Sequence, residues 1–229
     1  MTAKEQYERV AEELSQVIAE AGRKDSEVCL VAVSKTVGVD AVKKAIEGGA
    51  HNFGENRPEG ILEKYEALPQ ENWHFIGNIQ SRRIRDIVPC SVLIHSVFDL
   101  KHARKIDSVS ADLGKIQDIL LEVNVSGEAS KSGLVPSQVE EVLDACEDMK
   151  HIRVRGLMTM APQGDLRIAR ETFEDLAALK DTLSSQLSGE NKACFDQLSM
   201  GMSEDWREAI HAGATIVRIG RAIFDENFQ

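Results

Sequence analysis

The chain has 229 residues, 42% hydrophobic and 28% charged, an ordinary globular composition with room for one large domain or two small ones. Its 27 lysines and arginines face 38 aspartates and glutamates, and the net charge of −11 argues against a nucleic-acid groove or an anionic membrane as partner. No run approaches the ~20 apolar residues of a membrane span, and the polar stretch from Met1 to Glu13 is unlike a signal or transit peptide, so a cytoplasmic protein is expected.

In chain order, the first element is a helix carrying Tyr7, Val10, Leu14 and Ile18 at helical spacing, with Gly22 as its stop. Val28–Val33 is short, continuous and rich in β-branched residues, the pattern of a buried strand. A helix is predicted over Val39–Glu47, ended by Gly48-Gly49. The unit then recurs. Further strands are predicted near His51–Phe53, Trp73–Ile76, Val92–Ile94, Ile119–Val125, Val154–Leu157, Phe195–Leu198 and Thr215–Ile219. Between them lie helical patterns at Arg57–Ala67, Leu100–Ala111, Ser137–Cys146, Arg167–Leu187 and Glu204–His211, and a short turn at Ser81–Ile87. Eight strands alternating with helices argue for parallel βαβ units. Their natural closure is a single (β/α)8 barrel with an additional N-terminal helix, spanning residues 1–229 as one domain, although ~250 residues is the usual size. An open doubly wound sheet is the alternative.

Cys29, Cys90, Cys146 and Cys194 contain no C-x-x-C pair, and the six histidines form no H-E-x-x-H, so neither a zinc site nor a disulfide framework is expected. Cys29 reads as core. Nucleophile-elbow, Walker A and dinucleotide motifs are absent.

Ligands of a parallel barrel bind at the C-terminal strand ends. Those positions here are Ser34-Lys35-Thr36, Gly54-Glu55-Asn56-Arg57, Gly77-Asn78, Ser126-Gly127-Glu128 with Ser130-Lys131, Met158-Thr159-Met160, Ser199-Met200-Gly201-Met202-Ser203 and Arg218-Ile219-Gly220-Arg221. Lys35 is the most informative. At the mouth of a buried strand a lysine is expected to be partly desolvated, which lowers its pKa and frees an amine that can attack a carbonyl. The other reading is a lysine that snorkels to the rim. The last two strand ends offer glycines and hydroxyls for an anion. Ser203 looks like a helix N-cap with Glu204 and Asp205 in the first turn, acids that would repel a phosphate there. Ser199–Gly201 and the Gly220-Arg221 backbone are therefore favoured as the anion site over that helix end, with ordinary turn and cap chemistry as the other reading. Arg218 alternates onto the face of Ile216 and Gly220, and inside a barrel it needs either a carboxylate or a ligand as partner. Asn56 and Arg57 either serve a ligand or begin a helix that Asn56 caps before Arg57-Pro58.

The segments Leu30–Thr36, Phe53-Gly54-Glu55-Asn56, Trp73–Gly77, Gly156–Met160, Leu198–Ser203 and Val217–Gly220 run in order over most of the chain. With them the chain resembles the pyridoxal phosphate homeostasis protein family. The resemblance implies a barrel similar to the cofactor-binding domain of alanine racemase. It implies that Lys35 holds pyridoxal 5′-phosphate (PLP) as a Schiff base and that Arg218 faces the pyridine nitrogen. Ser199, Met200 and Gly201, with Gly220 and Arg221, would hold the phosphate, and Asn56 would join the site. Asn78, Arg82-Arg83 and Arg221 depart from residues common in the family, namely histidine, Asn-Lys and threonine. A cation beside the pyridine nitrogen weakens the ring as an electron sink, and racemases of this type add a second domain that is not expected after Phe228-Gln229. The implied function is a monomeric PLP carrier or regulator in PLP homeostasis and amino-acid/keto-acid balance, with no turnover and with PLP-dependent apoenzymes as acceptors. The alternatives are a PLP-dependent racemase or lyase using Lys35 as base, and a Schiff-base aldolase without PLP.

Overall fold

The structure is a computed structural model and describes residues 1–128 and 131–228. Ser130 and Gln229 lie outside the described residues. Eight strands are formed, each on one of the apolar runs: β1 (Cys29–Val33), β2 (Asn52–Glu55), β3 (Asn72–Phe75), β4 (Leu93–Val97), β5 (Gln117–Glu122), β6 (Ile152–Met158), β7 (Gln197–Ser199) and β8 (Ile216–Ile219). Each pairs in parallel with its sequence neighbour, and β1 closes on β8 with Leu30 opposite Val217 and Val31 opposite Arg218. The result is the closed barrel, not the open sheet.

The helices are α1 (Ala3–Glu20), α2 (Val39–Glu47), α3 (Pro58–Ala67), α4 (Ile84–Ile87), α5 (Leu100–Asp112), α6 (Val139–Glu147), α7 (Leu166–Gln186), α8 (Gly189–Cys194), α9 (Trp206–His211) and α10 (Arg221–Phe224). α1 is the extra N-terminal helix. Thr2 and Glu5 close a capping box at its start, satisfying two backbone donors that a helix end leaves free. Its buried face of Tyr7, Val10, Leu14, Val17 and Ile18 packs toward α2, α9 and α10.

Alternation divides each strand between two cores. The larger is the annulus between sheet and helices, where Phe53, Trp73, Phe75, Phe173, Val217 and Ile219 are fully buried. The Phe53 and Trp73 rings lie 5.3 Å apart there, and the Trp73 indole N–H donates to the Leu68 carbonyl at 3.0 Å. The smaller core is the lumen: Val31, Val33, Leu93, Leu120, Met158 and Ile216. Cys29 is only partly buried against this lumen cluster, and burial pushes its thiol up to about 11, so it stays an unreactive thiol at neutral pH. No group of metal-ligating side chains occurs among the described residues.

Two predicted helix caps change. α9 starts at Trp206, with Asp205 and not Ser203 at the N-cap. The Asp205 carboxylate accepts from the Met202 N–H at 2.6 Å, which tightens the loop before the helix and delays it by two residues. At α3 the N-cap is Arg57 with no side-chain cap bond, so Asn56 does not cap that helix. Pro58 at the first turn and its preset φ begin it instead.

Candidate functional site

A cleft of 470 Å³ opens at the C-terminal mouth of the barrel. Lys35, Asn56, Arg218, Gly220 and Arg221 all line it, joined by Thr36, Asn78, Met202 and Ser203. Strand ends far apart in sequence are thus brought to one opening by barrel closure. Lys35 follows directly on β1. Its side chain is exposed, so the expected partial desolvation is not present. The strand stops at Val33, and two further residues carry the lysine past the wall of the barrel.

What precedes Lys35 is held firmly. The Ser34 hydroxyl donates to Glu55 Oε1 at 2.7 Å, and Lys64 Nζ donates to the Ser34 carbonyl at 2.8 Å. Lys64 and Glu55 also form an ion pair with both side chains almost fully buried. A buried pair of this kind survives because each charge satisfies the other. Here it anchors the backbone one residue before Lys35.

Arg218 forms the floor. It is buried on the lumen face, as alternation predicted, with Ile216 beneath it. Among the described residues the direct partners of its side chain are not carboxylates but two neutral oxygens: Ser199 Oγ at 2.5 Å and the Thr159 carbonyl at 3.0 Å. Burial pulls the guanidinium down to about 10, opposed by the negative charges of Asp205 and Glu122. It remains a cation at neutral pH. Glu122, on β5 opposite Met158, is buried, and among the described residues its Oε2 has no hydrogen-bond partner. Burial raises this carboxyl to about 7, with Arg218 acting the other way. Asp205 is also raised, first by burial, with the Met202 N–H and Arg218 opposing.

Ser199, Met200 and Gly201 do not line the cleft. Ser199 and Met200 are fully buried below it, Met200 within the annulus core. Gly201 turns with φ +91° so that the loop packs onto Trp206 and Ala209, where a Cβ would fall 2.6 Å from the Ala209 methyl. The neighbouring Met202 and Ser203 reach the opening instead. Arg221 is exposed and pairs with Glu204 at 2.9 Å, which offsets the acid expected to repel an anion there.

Three lumen residues escaped the sequence reading. His74 and His95 are buried and joined Nδ1 to Nε2 at 3.0 Å, and Glu122 lies near Arg218. Their signal was present: a polar residue alternating with apolar ones, as in Trp73-His74-Phe75, must point inward when the neighbours point to the helices.

The chain was compared with known proteins. The family model of the alanine racemase N-terminal domain matches residues 7–227. The pyridoxal phosphate homeostasis protein of Aquifex aeolicus is 36% identical over 99% of both chains. The structure of PipY from Synechococcus elongatus with PLP bound superposes with a TM-score of 0.81 at 29% identity, over 94% of this chain and 99% of that one. An alanine racemase of Clostridium difficile shares the fold at a TM-score of 0.72 and 13% identity, with 94% of this chain and 55% of that one covered. With a family model matched over nearly its whole length and a relative of this identity aligned end to end, the chain belongs to the pyridoxal phosphate homeostasis proteins, within the alanine racemase N-terminal domain family.

Proposed function

We propose that this chain is a PLP-binding protein of PLP homeostasis and amino-acid/keto-acid balance, one barrel domain over residues 1–229 that holds and releases the cofactor without turnover. The observation that carries this reading is the sharing of one 470 Å³ cleft by an exposed amine, Lys35, and a buried guanidinium, Arg218. The donor set fits the cofactor. PLP supplies an aldehyde for an amine, an electron-withdrawing ring and a phosphate dianion. Lys35 brings the amine on an anchored backbone. Arg218 brings N–H groups and positive charge toward the ring nitrogen and has no lone pair to offer it. Its charge disfavours a proton on that nitrogen, which limits the carbanion chemistry the ring can support. Gly220 and Arg221, with Met202 and Ser203 of the loop after β7, form the anion side, and Asn56 also lines the cleft.

The names of the relatives support homeostasis over catalysis, and PipY has a structure with PLP bound. On this reading the protein works as a monomer in the cytoplasm and delivers to PLP-dependent apoenzymes. No described helix is long and apolar enough to cross a membrane. The test is an absorbance spectrum of the purified protein with PLP, then borohydride reduction and mass spectrometry. A PLP adduct on Lys35 is the expected result. An unmodified Lys35 under excess PLP overturns the assignment, and amino-acid racemisation or decarboxylation that Lys35→Ala abolishes replaces it with the enzyme.

A further inference from the structure

We infer that Ser199, His95 and His74 form a directed hydrogen-bond chain that positions Arg218 in the cleft floor, and that Ser199 is a positioning residue and not a phosphate contact. The inference rests on the PLP reading of the cleft for its ligand, but the chain itself is a property of the unloaded protein.

The direction follows from what each atom can do. A guanidinium only donates, so Ser199 Oγ accepts from Arg218 Nη1 at 2.5 Å. The hydroxyl also has one proton, which in a fully buried site needs an acceptor, and among the described residues His95 Nδ1, 2.8 Å away, is the one it meets. His95 Nδ1 is then the acceptor, and in a neutral ring its proton sits on Nε2. That Nε2–H points at His74 Nδ1, 3.0 Å away, so His74 also carries its proton on Nε2. The His74 Nε2–H ends the chain on the Asn52 amide oxygen at 3.3 Å. Every donor meets an acceptor along the line. A second proton on His74 would set two donors against each other, and one on His95 would take away the acceptor of the Ser199 proton. Burial keeps both rings neutral: it holds His74 down to about 4, and His95 well below its ordinary value, where the charge of Arg218 also acts.

The chain leaves Ser199 no capacity for a phosphate. Its hydroxyl is fully buried, its proton is committed to His95 and its oxygen to Arg218. Arg218 is meanwhile held from two strands, by Ser199 on β7 and by the carbonyl of Thr159 just beyond β6. Its remaining N–H groups are those free for a ligand in the cleft it lines.

Two measurements test this. First, long-range 15N–1H NMR on the unloaded protein reads the imidazole tautomers. Nε2–H on both His74 and His95 is expected, and an Nδ1–H tautomer or a charged ring on either overturns the chain. This readout does not depend on PLP binding. Second, PLP is compared with pyridoxal, which lacks the phosphate, by absorbance titration of the wild type, Ser199→Ala, His95→Phe and His95→Asn. Ser199→Ala and His95→Phe should weaken both ligands by the same factor, about tenfold or more for the lost hold on a charged donor, and shift the absorbance maximum together. His95→Asn, which keeps an acceptor near Nδ1, should restore most of the loss. A Ser199→Ala defect confined to PLP, with pyridoxal unchanged, overturns the positioning role and returns Ser199 to the phosphate. Thermal melts identify a variant that fails to fold, and for such a variant the tautomers decide. Failure of the wild type to bind either aldehyde strikes the PLP reading and leaves the tautomer result standing.

Discussion

The annulus and the lumen of this barrel are built from the same eight strands, yet they are packed on opposite plans. The annulus is filled by Phe53, Trp73, Phe75, Phe173 and aliphatic side chains. The upper lumen holds His74, His95, Glu122, Ser199 and Arg218, all buried and mostly satisfied by one another. A polar lumen is an expensive filling, since each group must be desolvated and paired. The annulus therefore carries the stability, and the lumen spends part of it to hold a cation at the mouth. The two regions should respond differently to substitution: annulus changes act at every pH, and lumen changes alter the shape of the pH dependence.

The largest effect is expected in the annulus. Phe53→Ala removes a fully buried ring in contact with Trp73 and should cost ~3–5 kcal/mol in denaturant unfolding, with little change between pH 5 and pH 8. A loss that varied strongly with pH would break the division.

The lumen contributions have signs that can be worked out. Glu122 is raised in the folded state from 4.5 to about 7. Its contribution is fully present below pH 4.5 and is lost as pH rises through 7, by about 3 kcal/mol at most. Glu122→Gln should remove that fall, so that the variant gains on the wild type as pH rises from 5 to 8. His74 is depressed from 6.5 to about 4. Its contribution is present above pH 6.5 and is lost as pH falls through 4, again by about 3 kcal/mol. Between pH 4.5 and 6.5 the two slopes oppose each other. His74→Gln should therefore unmask the Glu122 fall in that window, and Glu122→Gln the His74 rise. Melting curves of both variants across pH 4–8 measure this directly, and identical profiles for the two would contradict the assigned signs.

The smallest stability effect belongs to the residue proposed to hold the cofactor. Lys35 is exposed, so Lys35→Ala should shift unfolding by no more than about 0.5 kcal/mol while abolishing the borohydride-trapped PLP adduct. A large loss of stability would mean that the mouth is structural after all.

The barrel was legible because parallel strands buried on both faces read as continuous apolar runs, and all eight runs became strands. α8 was missed because Gly189–Cys194 is polar and presents no periodic apolar face. Lys35, Asn56, Gly220 and Arg221 line the cleft from their places after strand ends, and Arg218 from its alternation within β8. The burial of Ser199 was not legible, since that depends on how the loop before α9 folds. The Ser203 cap failed for the same reason: Asp205 competes two residues on, and a single sequence does not rank two adjacent capping residues. Of the two partners expected for Arg218, a carboxylate or a ligand, the carboxylate is not in direct contact, and the protein contacts are neutral oxygens, one of them a backbone carbonyl that no side-chain pattern reveals.

The Glu55–Lys64 pair beneath Ser34 has a consequence for how this protein can vary. Losing either partner alone leaves a buried charge uncompensated, at a cost of ~3–5 kcal/mol. Replacing both with apolar residues of similar volume removes that penalty, although it frees the Ser34 carbonyl. Gly60 is drawn in as well, because a Cβ there would fall 2.8 Å from Glu55 Oε2. In a library of variants the three positions should behave as a single inherited unit. Substitutions lethal one at a time would be tolerated together, and the route between two workable combinations would pass through chains that do not fold.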